Sequence, residues 1–124
     1  MKKLLMALMI AGLLSVGAAT VSAQTATAPK SVIHVVTVSW KTGTTPEQIK
    51  AALDGAQAIP AKFAGVTHVW TKAIKNQTDK ANIIIMEFVD EAALKNYTDS
   101  DAQKEWYKVY LPIRGRSTTF DVTN

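Results

Sequence analysis

His34 is the side chain whose type and setting best suit it to chemistry. It interrupts an apolar alternation in which Val32, His34, Val36, Val38 and Trp40 share one face of an extended segment. An imidazole in such company needs a hydrogen-bond partner. It is also the side chain that exchanges a proton near neutral pH. Tyr97 or Gln103 could supply the partner. A phenol can donate or accept, whereas an amide does both but takes no proton near neutrality. His34, Trp40, Tyr97, Gln103 and Trp106 together read as the wall of a pocket for a small apolar or aromatic molecule. A structural histidine satisfied by a hydroxyl or a backbone group is the competing reading.

Other chemistries lack their parts. His68 is the second of two histidines. Glu87 could join it from a neighbouring strand, but without a third ligand the pair is no metal site. Structural pairing is expected there, and no metal. With no cysteine and no Gly-x-Ser-x-Gly, no nucleophile is expected. The absence of a Gly-rich phosphate loop leaves no cofactor to predict. The formal charge is +4, and Lys2 and Lys3 at the extreme N-terminus carry part of it. The remaining basic residues are interleaved with acidic ones and form no stripe, so no nucleic-acid partner is expected.

The elements that must position these residues follow in order. Val32 to Trp40 is a strand, apolar on both faces and so expected to be central. Thr45-Pro46-Glu47-Gln48 is a helix start: a cap, a proline at the first helical position and a capping-box glutamine. Ile49, Ala52, Leu53, Ala56 and Ile59 give a stripe of mostly small residues, and Pro60 is expected to end that helix. Val66 to Ile74 reads as a second strand and Asn82 to Val89 as a third, close enough to form a hairpin. Asp90 caps a helix that Asp99-Ser100 interrupts, and Ser100 to Gln103 offers a second capping box. Ser117 to Val122 reads as the last strand. The order is βαββαβ, an α+β, ferredoxin-like arrangement: a four-stranded antiparallel sheet with helices on one face. Its other face carries Ile33, Val35, Ile83 and Ile85, which should not meet water. Pairing of two such sheets, a homodimer through the open face, would cover them.

Residues 1–23 stand apart. A basic start, an apolar run and Val21-Ser22-Ala23 form a secretory signal with cleavage expected after Ala23. The run is too short to span a bilayer comfortably, so no stable membrane span is expected after cleavage. The protein is expected to be periplasmic or secreted, with residues 24–31 a flexible leader and 32–124 the domain. A domain of about 100 residues builds one small core, and dimerisation would enlarge the apolar area buried.

The stretch VIHVVTVSWKTGTTPEQI, then Ala64-Gly65-Val66, FVDEAALKNY and FDV, resembles the stress-responsive α/β-barrel (Dabb) family over residues 32–122. The resemblance implies dimeric α+β barrels of ferredoxin-like subunits. In cyclase-like members it implies a pocket between sheet and helices, using a first-strand histidine with a tyrosine and a histidine of the second helical region. His34 and Tyr97 occupy the first two positions. Ser100-Asp101-Ala102-Gln103 stands where the family often carries His-Pro-x-His, so both of those histidines are replaced. The resemblance therefore implies ligand binding or stress protection first. A cyclase, lyase or cofactor-independent oxygenase using His34 and Tyr97 comes second, and a structural, self-assembling protein third.

Overall fold

The computed structural model describes Gly17 and residues 27–124. Apart from Gly17, the expected signal segment lies outside the described residues, as does the start of the leader. No helix among the described residues is long and apolar enough to cross a membrane. The elements are β1 (Val32–Trp40), α1 (Pro46–Gln57), α2 (Ile59–Lys62), β2 (Val66–Trp70), β3 (Asn82–Phe88), α3 (Glu91–Tyr97), α4 (Asp101–Tyr110) and β4 (Arg114–Val122). The sheet order is β2-β3-β1-β4, and every neighbouring pair is antiparallel. This is the ferredoxin-like fold, with β1 and β3 central.

The register sorts the two faces. Val32, Val36 and Val38 of β1 and Ile84, Met86 and Phe88 of β3 face the helices and form the core. Opposite them lie Ile33, Val35, Ile83 and Ile85, with Trp70, Phe120 and Val122 left substantially exposed. In the single chain β1 is thus covered on one face. The small residues of α1 serve close approach. Ala52 and Ala56 are fully buried, and the Trp106 indole N–H of α4 donates to the Ala52 carbonyl at 2.8 Å. A Cβ on Gly55 would come within 3.0 Å of that indole.

Helix starts follow their sequence signals. Thr45 and Gln48 form the complete capping box. Ser100 accepts from the Gln103 N–H at 3.2 Å, but the Gln103 side chain reaches one residue further back, to the Asp99 N–H at 2.8 Å. Asp99 sits at φ 65°, and this bond helps hold that turn. Pro60 does not simply end a helix. It lies in the first turn of α2, where its missing N–H costs nothing.

Besides β3 ending at Phe88, one residue short of Val89, strand bounds and faces differ from the sequence expectation in three places. β2 stops at Trp70 instead of Ile74. Beyond it, Thr71 is drawn to Gln57 of α1 at 2.6 Å, and Asn76 satisfies the loop backbone itself. Its Oδ1 accepts from the Thr78 N–H at 2.9 Å, and its Nδ2 donates to the Lys80 carbonyl at 2.6 Å. Such local bonds compete with a ladder. Secondly, a bulge between Val66 and His68 resets the alternation, so Val66 faces the core while His68 and Trp70 face out. Thirdly, β4 begins at Arg114, ahead of Ser117, because Gly115 lets two backbones close. A Cβ there would lie 2.7 Å from the Ser39 carbonyl oxygen. Gly115→Ala is expected to cost about 1–3 kcal/mol, read as a lower urea midpoint. An unchanged midpoint would mean that the β1–β4 contact yields freely.

Candidate functional site

The inward faces of β1 and β4 and the helical pair α3–α4 line a cavity of about 120 Å³, open to solvent along β4, where Arg114, Ser117 and Thr119 are exposed. His34, Val36, Ser117 and Thr119 form its sheet wall, with Arg114 at the far end of β4. Tyr97, Gln103, Trp106, Tyr107 and Tyr110 form its helical wall. Four of the five residues that the sequence placed in a pocket, His34, Tyr97, Gln103 and Trp106, therefore line one space. Trp40 does not. Its indole N–H donates to Asn82 at 2.8 Å, and its ring meets Tyr110 edge-on at 6.2 Å, one layer behind the wall. Alternation gave Trp40 the right face, but its indole is taken up by Asn82 and Tyr110, and its register partner Arg114 reaches the cavity instead.

His34 has a partner that the sequence reading missed. Its Nδ1 lies 2.6 Å from Asp121 Oδ1 across the β1–β4 pair. An ionised carboxylate only accepts, so the proton sits on Nδ1, and in the neutral ring Nε2 keeps its lone pair. Alternation supplied only the face: with Phe120 and Val122 on the open side, Asp121 lies on the helix side. The imidazole also borders a second, open cleft of about 530 Å³ shared with Glu91, Lys95 and Asp121. It is thus shared by the two spaces.

Tyr97 is only 3% exposed, and its hydroxyl is buried with no hydrogen-bond partner among the described residues. Phe63 and Phe88 hold the ring at centroid distances of 5.5 and 5.3 Å. Burial, with Tyr107 nearby as a lesser cause, pushes its pKa well above that of a free tyrosine, so the group stays a neutral donor. His34 and Tyr97 share the cavity but make no hydrogen bond to each other. Gln103 is committed elsewhere. Its Oε1 accepts from Asp99, and its Nε2 donates to the Tyr107 hydroxyl at 3.2 Å, so it orients Tyr107.

Tyr97→Phe is expected to stabilise the ligand-free protein by about 1–3 kcal/mol, because it deletes an unsatisfied buried hydroxyl. Urea unfolding at neutral pH measures this, and a variant no more stable than wild type would mean that the hydroxyl is already satisfied. Tyr97 and Tyr110 both have raised pKa values through burial. Their contribution to stability is therefore complete below about pH 10, where a free tyrosine ionises, and declines as pH rises toward their folded values. Tyr97→Phe should flatten that alkaline decline.

His68 and Glu87 lie on the open sheet face, with Nδ1 2.9 Å from Oε2. They form a pair, and no group of three or more potential ligands gathers among the described residues. A cleft of about 580 Å³ beside residues 71–78 is larger than the central cavity. Its lining holds neither a histidine nor a buried unpartnered group, so size alone recommends it.

Among solved structures, the fold is similar to that of a Mesorhizobium loti Dabb family protein at 24% identity. That likeness covers 76% of this chain and 96% of the other, with a TM-score of 0.63. A dimeric protein of unknown function from Bacteroides fragilis aligns at 14% identity over 79% and 100% of the two chains, with a TM-score of 0.63. A hydroxynitrile lyase from Passiflora edulis aligns at 15% identity over 77% and 94%, with a TM-score of 0.70. No curated protein matches the chain. The family model for the stress responsive A/B barrel domain matches residues 32–124, all of the sheet and helices described above, and the chain belongs to that family.

Proposed function

We propose that the protein is exported, pairs as a homodimer through its open sheet face, and binds a small apolar or aromatic molecule in the cavity between sheet and helices. The Tyr97 hydroxyl carries this reading. A buried donor without a partner costs about 1–3 kcal/mol, and a ligand oxygen or nitrogen in the cavity would recover that cost. The aromatic wall supplies apolar contact around it. The dimeric Bacteroides fragilis neighbour supports pairing, since it shares the fold. The exposed Trp70, Phe120 and Val122 support the open face as the place.

A second reading, acid/base catalysis of a lyase or cyclase type, is favoured by the His34–Asp121 pair. An imidazole anchored at Nδ1 presents Nε2 as a base, and Tyr97 would serve as the donor that steadies a developing oxyanion. Gln103 cannot replace a second base, which keeps binding ahead of catalysis.

Native mass spectrometry of protein purified from the periplasm tests the first reading. The expected species is a dimer of chains starting at Gln24 and carrying a small extra mass. Tyr97→Phe should lose that mass while remaining dimeric. A dimer that is always empty, and that takes up no aromatic probe, would overturn ligand binding. Chains retaining residues 1–23 would overturn export with cleavage.

A further inference from the structure

We propose that the molecule the cavity accepts is a small aromatic carboxylate whose acid group is held by Arg114. This rests on the reading of the cavity as a binding site and adds the class of ligand. Arg114 stands at the end of the cavity remote from His34, since the register pairs it with Trp40 while Asp121 pairs with His34. Its guanidinium lies over the Tyr110 ring, 5.8 Å from the centroid. That cation–π contact aims the group without neutralising it.

Among the described residues Arg114 has no carboxylate partner. Asp79 pairs with Arg116 at 2.7 Å. Arg116, two residues along the same strand, is thus paired where Arg114 is not. Arginine's planar fork suits a carboxylate in particular. The Ser117 and Thr119 hydroxyls line the sheet wall between Arg114 and His34, and neither is taken up by another side chain among the described residues.

Size and polarity narrow the class. A cavity of about 120 Å³ is on the scale of the roughly 150 Å³ apolar cavity known to hold benzene. One six-membered ring fills that scale, so its carboxylate must lie at the open mouth beside exposed Arg114. Trp106 and Tyr110, stacked at 4.4 Å, give it an aromatic wall. Deep in the cavity the Tyr97 hydroxyl waits for an acceptor, so a second oxygen on the ring has a place. Longer acids would have to run past His34 into the open cleft.

The test is calorimetric titration of the purified dimer with 4-hydroxybenzoate and, separately, with its uncharged analogue 4-hydroxybenzamide. Wild type should bind the acid at least tenfold more tightly than the amide. Arg114→Gln should lose about tenfold or more for the acid and leave the amide unchanged, while Arg114→Lys should keep part of the preference. An unchanged melting temperature in both variants shows that the fold is intact, and the unchanged amide affinity serves as an internal check. Equal binding of acid and amide by wild type overturns the assignment of Arg114 while the cavity remains a binding site. Binding of neither, up to millimolar concentration, overturns both the carboxylate class and the reading of the cavity as a site for ring-sized ligands.

Discussion

Phe88→Ala is expected to lower the free energy of unfolding by about 3–5 kcal/mol, the range for emptying a fully buried phenylalanine site. Phe88 is 0% exposed. It pairs with Val32 of β1 on one side and with Val66 of β2 on the other, both buried. Above it lies the Tyr97 ring at 5.3 Å, and the His34 ring meets it edge-on at 6.1 Å. Three strands, α3 and the candidate site therefore all lean on one side chain. Against a typical domain stability of about 5–15 kcal/mol, that loss is a large share. Phe88→Leu retains most of the volume and should cost less than half as much. Urea unfolding of the two variants at equal protein concentration provides the measurement. A loss under about 1 kcal/mol for Phe88→Ala would mean that β3 can collapse into the space, and that the position of Tyr97 does not depend on it.

The same region shows what local sequence can and cannot convey. Alternation in β1 and β3 placed Ile33, Val35, Ile83 and Ile85 on the open face correctly, because a strand's side-chain period is fixed by the backbone. The capping box at Thr45 and the break at Asp99-Ser100 were equally local and equally legible. Asp121 was not found, because its meeting with His34 depends on the β1–β4 register across 87 residues of chain. The second half of the cavity wall, Tyr107, Tyr110, Arg114, Ser117 and Thr119, was missed for a related reason. Periodicity names the buried stripe of α4 but does not fix which turn lies over which strand residue. Trp40 erred in the opposite direction, since sharing a face was taken as sharing a place. The bulge before His68 left no mark in the alternation, and it moved Val66 to the core side while His68 and Trp70 remained outside.

Phe120→Glu is expected to separate the proposed dimer while leaving each protomer folded. The register assembles one row across the open face: Trp70 opposite Ile85, Ile85 opposite Val35, and Val35 opposite Phe120. Phe120 is 59% exposed in the single chain, so the protomer gives up little packing when it changes. In a two-fold assembly every substitution enters the interface twice. Burying a phenylalanine contributes about 1.5–3 kcal/mol, so two losses alone come to at least about 3 kcal/mol, more than a hundredfold in Kd. Two carboxylates driven between the sheets add a desolvation cost of several kcal/mol each unless they find cations. Sedimentation velocity should then report a monomer, with far-ultraviolet dichroism unchanged. Val109→Glu, on an exposed position of α4 away from the sheet, is the control and should leave the dimer in place. If Phe120→Glu stays dimeric, the open face is not the interface, and the apolar row must be covered by something other than a second copy. If both variants become monomeric with altered dichroism, unfolding is the cause. Only selective loss with Phe120→Glu assigns the pairing to the sheet, because only that outcome separates the face from the fold.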